Sequence, residues 1–177
     1  GSPVVSPTQD IVLGCYYLTV EAPEEKGAGK AFASAAEVMM AAQLGHVHVP
    51  MHGLLEPGQP LPHCNCGFDG DAESVASLTG IENNLLPYWL TRYPDHELGR
   101  AESMAKAAKL VRAHGEKGDP MALAVFEQQA KAVGRLFTIA ANFTDPDAYF
   151  LGGGVVEAER HFREWFLTKV RENTALK

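Results

Sequence analysis

Apolar positions recur at helical spacing through most of the chain beyond Asp71. Val75, Leu78 and Thr79 fall on one face, and Gly80 is expected to close that first helix. A second helix is predicted over 85–93, with Asn84 as its cap and Pro87 tolerated in its first turn. A third, rich in Ala and Lys, is predicted over 98–114 and closed by Gly115. Asp119-Pro120 opens a longer one, an Asp cap followed by Pro at the first helical position. Its stripe is Leu123, Phe126, Ala130, Val133, Phe137, Ala140 and Ala141, and Asp145-Pro146 ends it. A last amphipathic helix over 157–172 carries Phe162, Trp165, Phe166 and Val170, an aromatic stripe that reads as packing.

Elsewhere the period shortens. His46-Val47-His48-Val49 alternates and stops at Pro50, the pattern of a strand. Residues 147–151 read as a buried strand, followed by the turn Gly152-Gly153-Gly154. The apolar run over 11–20 fits a helix capped by Asp10, or a strand by its β-branched and aromatic content. Residues 21–30 read as a loop and 31–33 as a short strand; Ser34 is the expected cap of a helix over 35–44 that ends at Gly45. Prolines 50, 57, 60 and 62 make 50–63 a loop. Helix, strand, glycine turn and helix in succession predict a helix-rich α/β fold.

Composition narrows the classes. The 177 residues suffice for one domain with a core, or one domain plus an appended segment. A hydrophobic content of 46% and a charged content of 21% are ordinary for a globular protein. The net charge of −7 offers no basic face, so direct nucleic-acid binding is not expected. Apolar runs are too short for a membrane span, no secretory signal opens the chain, and three cysteines do not suit a disulfide framework. The expectation is a cytoplasmic protein with reduced thiols.

The chemistry concentrates in Cys64-Asn65-Cys66-Gly67-Phe68-Asp69-Gly70-Asp71-Ala72-Glu73. Cys64 and Cys66 as thiolates, His46 as imidazole and Asp71 as carboxylate make a tetrahedral set for zinc. The competing reading has two free thiols beside a surface loop and Asp71 capping the helix that follows. Spacing leaves both open, because Cys-x-Cys is less specific than paired Cys-x-x-Cys. His48, His52 and His63 are rival ligands. Asp69 and Asp71 suggest magnesium more weakly, since a third carboxylate is missing. Gly152-Gly153-Gly154 between strand and helix could present backbone N–H groups to a phosphate, or could be only a tight turn. Cys15, in an apolar run, reads as inert core.

Leu44-Gly45-His46-Val47-His48-Val49-Pro50 and the Cys64–Glu73 stretch together resemble the signature of the ROK family, bacterial-type sugar kinases and their repressor relatives. That signature reads Glu-x-Gly-His, then Cys-x-Cys-Gly-x-x-Gly-Cys-x-Glu. The resemblance continues through Ala76-Ser77, Gly118-Asp119-Pro120, Gly134-Arg135-Leu136, Asp145-Pro146 and Leu151-Gly152-Gly153-Gly154-Val155. It implies a partial actin/hexokinase-like (ribonuclease H-like) C-terminal lobe over 46–177. It also implies zinc on His46, Cys64, Cys66 and Asp71, and sugar hydroxyls on His46, Glu73 and Gln43. Gly152, Gly153 and Gly154 would lie against the adenosine of ATP, and the resemblance admits a homodimer.

Two departures stand out: Gln43 replaces a sugar-binding glutamate of the signature, and Asp71 replaces its third cysteine, which is expected to weaken zinc. No residue matches the phosphate motif or the catalytic aspartate of the family's N-terminal lobe. The implied reaction, transfer of a phosphoryl group from ATP with magnesium to a hexose, is therefore expected only with a complementary lobe. Alone, the chain is expected to bind. A non-catalytic sugar-binding or regulatory module is the alternative.

Residues 1–48 carry a different resemblance. Gly1 to Thr19, with Gly27-Ala28-Gly29 and Phe32-Ala33-Ser34, are similar to the bacterial RNA polymerase β′ subunit just after its catalytic aspartates. There the Asp-Phe-Asp-Gly-Asp magnesium motif precedes the segment, whereas here Phe68-Asp69-Gly70-Asp71 follows it, so a polymerase active site is not expected. The two resemblances meet at Leu44-Gly45-His46. The chain reads as a fusion of a β′-like segment over 1–45 with the sugar-kinase-like lobe, and a polymerase-related fragment is the remaining alternative.

Overall fold

The computed structural model describes residues 44–144, 149, 151–155 and 157–175. The chain divides into two units, Gly1–Met39 and Met40–Lys177. The expectations for 11–20, 21–30, 31–33 and 35–43, together with Cys15 and Gln43, lie outside the described residues, as does most of the strand expected over 147–151.

Among the described residues the second unit is built on helices. They are α1 (Glu73–Ala76), α2 (Leu78–Gly80), a π-turn (Ile81–Leu85), α3 (Leu86–Arg92), a 3-10 turn (Glu97–Arg100), α4 (Met104–Glu116), α5 (Pro120–Thr144) and α6 (Arg160–Glu172). A 3-10 turn, Leu44–His46, precedes them. The strand predicted over 46–49 is reduced to an isolated antiparallel bridge, His48 to Asp71, with a second bridge from His63 to Asp69. The facing segment 70–72 is too short to extend a ladder before α1 begins.

Two glycines expected to close helices serve another purpose. A Cβ on Gly80 would lie 2.6 Å from the Ser74 carbonyl oxygen, and one on Gly115 would lie 2.6 Å from Cε2 of Phe162. Both positions are glycine because a neighbouring element passes too close for any side chain. Helical backbone therefore continues through Gly80 and the π-turn into α3. Gly115 sits within α4, and the left-handed Gly118 (φ 80°) follows that helix instead. Asn84, expected as a cap, lies inside the π-turn and donates to the carbonyls of His63 (3.0 Å) and Ser74 (2.8 Å). The helix predicted over 98–114 is interrupted, because Ser103 takes the cap and accepts the Lys106 N–H at 3.2 Å.

The Asp119-Pro120 start holds: Asp119 Oδ1 accepts the Ala122 N–H at 2.8 Å. Burial works against the Asp119 charge, but that N–H and the adjoining His96 ring outweigh it and keep the carboxyl below its ordinary range. Val75, Leu85, Leu86, Val111, Met121 and Val125 form the centre of the core, with α5 running through it. Phe126 of α5 meets Phe162 of α6 edge-on, ring centroids 5.0 Å apart, and Phe166 at 6.3 Å. The predicted α6 stripe is buried at Phe162, Phe166 and Val170.

The apolar stripe did not reveal two buried amides on α5. Gln128 accepts the Trp89 indole N–H at 2.9 Å and donates to the Leu54 carbonyl at 3.1 Å. Gln129 donates to the carbonyls of Val75 (3.0 Å) and Ser77 (3.3 Å). Gln129 thus satisfies carbonyls at the break between α1 and α2 and ties α1 to the long helix beneath it.

Candidate functional site

Backbone pairing brings the sequence motif together. Ala72 donates to the Val47 carbonyl (3.0 Å) and Val49 to the Gly70 carbonyl (3.2 Å), which sets 46–49 beside 70–72. The intervening loop closes on itself. Cys64 donates to the Phe68 carbonyl (2.8 Å), Gly67 to the Cys64 carbonyl (3.0 Å) and Gly70 to the Pro62 carbonyl (2.8 Å). Gly67 and Gly70 hold φ of 94° and 75°, the left-handed region that makes so tight a loop open to glycine.

One donor atom from each of His46, Cys64, Cys66 and Asp71 lies within 4.8 Å of the others. His46 Nδ1 is 3.1 Å from Asp71 Oδ2 and 3.7 Å from Cys64 Sγ, and Cys66 Sγ is 3.4 Å from the same Asp71 oxygen. The donor–donor edges of a tetrahedral zinc with two sulfurs, a nitrogen and an oxygen are roughly 3.3–3.8 Å, from zinc–ligand bonds of about 2.0–2.3 Å. The four residues therefore fit a zinc ion in both donor type and spacing. Of the rival histidines, none joins the group: His48 sets its ring against Phe68 at 6.0 Å, and His63 Nδ1 pairs with Asp69 Oδ1 at 2.7 Å. Asp69 thereby faces His63 rather than Asp71, and the paired-aspartate reading for magnesium does not form.

Asp71 holds the start of the following helix and also turns its other oxygen toward the cluster. It is fully buried. Its Oδ1 accepts the Ser74 N–H at 2.7 Å, holding the start of α1, while its Oδ2 faces His46 and Cys66. Burial works to raise its carboxyl, yet hydrogen bonds from Cys64, Ser74, His46 and Cys66 win and hold it below the usual carboxylate range. Cys64, also buried, has its thiol pushed up to about 12, first by burial and then by the Asp71 carboxylate. Without a cation that thiol keeps its proton; a metal ion would displace it.

Glu73, at the first position of α1, extends the cluster outward: its Oε2 is 3.5 Å from His46 Nε2. A Cβ on Gly45 would stand 3.3 Å from that oxygen, so glycine leaves room for the carboxylate. His46 accordingly has the metal-type donors at one ring nitrogen and a carboxylate at the other, an arrangement that fixes the ring and its tautomer. A shallow, open depression with room for little more than a water lies here, lined in part by His63, Cys64, Asn65, Glu73 and Asn83. Enclosed small-molecule sites run to roughly 300–1,000 Å³, so the depression does not by itself enclose a small molecule.

The glycine turn belongs to a different part of the molecule. Gly152, Gly153 and Gly154 are exposed, Gly153 has φ 89°, and Arg112 of α4 donates to the Gly154 carbonyl at 2.6 Å. Asn84, read in the sequence only as a cap, and Gln129, not singled out there, brace the loop and α1. For Gln129 the available signal is a buried amide on an apolar stripe.

A family model described as the ROK family matches residues 27–174. A ROK hexokinase from Thermus thermophilus is similar in structure, with TM-score 0.51 and 24% identity over 76% of this chain and 38% of that one. A ROK family glucokinase from Streptomyces griseus, solved in complex with glucose and AMPPNP, gives TM-score 0.52 and 24% identity over 73% of this chain and 39% of that one. The chain thus spans under two fifths of these kinases. Separately, RNA polymerase β′ subunits match a short segment; that of Caldanaerobacter subterraneus is 55% identical over 49 residues, 28% of this chain and 4% of the subunit. No helix among the described residues is long and apolar enough to cross a membrane. With the family model spanning most of the sequence and the structural matches sharing the actin-like hexokinase fold, the chain belongs to the ROK family.

Proposed function

We propose that this chain supplies the zinc- and hexose-binding wall of a ROK-type sugar kinase. The observation that carries the reading is the convergence of His46, Cys64, Cys66 and Asp71 at zinc-like spacing, with Glu73 seated on the outer nitrogen of the same histidine. Four protein donors close a tetrahedral site, so zinc here supplies fixed shape and no reactive position. His46 would bind it through Nδ1 and give its Nε2–H to Glu73, and the Glu73 carboxylate at the outer edge of the cluster would accept from a sugar hydroxyl. Gln43 would add an amide hydrogen bond. Gly152, Gly153 and Gly154 are the backbone proposed to lie against adenosine. ATP, with magnesium, would need the complementary lobe that the matched kinases possess over their remaining length, and that lobe would also provide the base for the hexose hydroxyl. Alone the chain would bind and not catalyse. A homodimer and a cytoplasmic setting are part of this reading, as is a boundary near residue 45 between the β′-like segment and the lobe.

The test is metal analysis of the purified chain with glucose titration alongside. The expected outcome is one zinc per chain, lost in Cys64→Ala. Weak glucose binding should fall at least tenfold in Glu73→Ala while zinc is retained. A parent chain that takes up no zinc removes the metal centre, and hexose phosphorylation by the chain alone overturns the non-catalytic reading.

A further inference from the structure

A second group of donors lies away from this wall. His96, His114 and Asp119 each place a donor atom within 4.8 Å of the others. His96 Nε2 is 3.2 Å from Asp119 Oδ2, and the His96 and His114 rings stand 5.1 Å apart at 58°. Glu97 Oε1 reaches His114 Nε2 at 3.3 Å and adds a second carboxylate at the rim. The three come from separate elements: His96 caps the 3-10 turn, His114 lies in the last turn of α4 and Asp119 caps α5. Their side chains are only 10%, 16% and 23% exposed, so the packing of three elements has already ordered them. Two carboxylates balance the charge of a divalent ion, and the α4 C-terminus favours a cation.

We propose that His96, His114 and Asp119 form a second metal site, for a borderline divalent cation such as zinc or cobalt, with Glu97 closing over it. Two imidazoles select against magnesium and calcium, which prefer an all-oxygen shell. The ion has a definite local cost. His96 Nδ1 accepts the Leu98 N–H at 3.2 Å, so its Nε2 carries the proton shared with Asp119. A cation at Nε2 sends that proton to solvent, Nδ1 takes one up, and the Leu98 bond breaks. One backbone bond is exchanged for three coordination bonds, and the site staples the 3-10 turn to the ends of α4 and α5.

Cobalt(II) titration of the whole chain separates this site from the thiol one. Cobalt on Cys64 and Cys66 shows thiolate charge-transfer absorption, whereas cobalt on imidazole and carboxylate does not. The expected result is a second bound equivalent without charge transfer. His114→Ala and His114→Gln should both lose it and keep the charge-transfer band. In the parent, the Leu98 amide and the His96 and His114 ring signals should move as the second equivalent binds. If the variants lose their helical circular dichroism, those parent signals decide. Uptake of a single equivalent with charge transfer and unmoved ring signals overturns the proposal, as does a second equivalent that survives both substitutions. A single equivalent without charge transfer, lost in His114→Ala, would support this site and remove the thiol centre instead.

Discussion

The loop over 61–71 and the α5–α6 pair are held by opposite means. In the helical pair, Phe126, Phe162, Phe166 and Val170 are removed from water, and order follows from apolar area. In the loop, Phe68 is 61% exposed and Leu61 54%, and order rests on backbone bonds, two left-handed glycines and the polar contacts of Asp71. A core of the first kind tolerates loss of any one polar contact. A loop of the second kind depends on a few specific atoms, and those same atoms are the candidate ligands. Stability and chemistry are therefore separable in the helical layer and inseparable in the loop.

The strongest way to break the contrast is in the aromatic cluster. Phe162→Ala should destabilise the chain by about 3–5 kcal/mol, as expected for deleting a buried aromatic ring. Chemical denaturation followed by far-ultraviolet circular dichroism measures it. If zinc affinity at the loop also changes more than a few fold while the variant is folded, the two regions are less separable than stated.

Gln129 is the link between the regions, and Gln129→Leu should cost about 1–3 kcal/mol by removing the side-chain donor to the Val75 carbonyl and leaving the Ser77 carbonyl with the Ile81 N–H alone. Amide exchange should show the loss locally, with protection falling in α1 and around Ser77 before α6. Uniform loss across α6 would mean that Gln129 serves the core as a whole.

The smallest effect sharpens the loop side. Cys64 holds its proton up to about 12 when folded, against 9.0 for the unfolded thiol. The folded state therefore binds more protons between those values. The Cys64 contribution is fully present below pH 9 and is lost as pH rises toward the folded value, at about 1.4 kcal/mol per pH unit. In the metal-free chain, denaturation midpoints at pH 9 and 10 should converge on those of Cys64→Ala as pH rises. Zinc-loaded protein should not show this trend, because coordination has already displaced the proton. A metal-free parent that keeps its full margin over Cys64→Ala at pH 10 would place that thiol in a less buried setting.

Much of this was legible in the sequence where a signal is local. Asp119-Pro120 marks the α5 start because an Asp cap and a Pro without an N–H suit one position only. The α6 stripe is legible because one face of a helix buries every third or fourth residue. The Cys-x-Cys loop is legible because thiols and left-handed glycines are rare in combination. Tertiary fit was not legible. Gly80 and Gly115 look like helix ends in sequence, but each is small because another element crosses it. The alternation at His46–Val49 suggested a strand, yet its partner segment turns into α1 after one bridge. Gln128 and Gln129 break an apolar stripe for reasons visible only when the carbonyls opposite them are known.

Asp71 has a consequence for which sequences can occupy the loop. One carboxylate oxygen answers to the Ser74 N–H and the other to the imidazole and thiol. A cysteine at 71 could satisfy the second partner and would abandon the first; a serine would do the reverse. Only a short side chain with a pair of acceptor atoms meets both; asparagine keeps one acceptor for the Ser74 N–H and turns an NH2 donor toward the imidazole and thiol. Exchange of the residue at 71 amounts to choosing between a firmer helix start and a softer ligand.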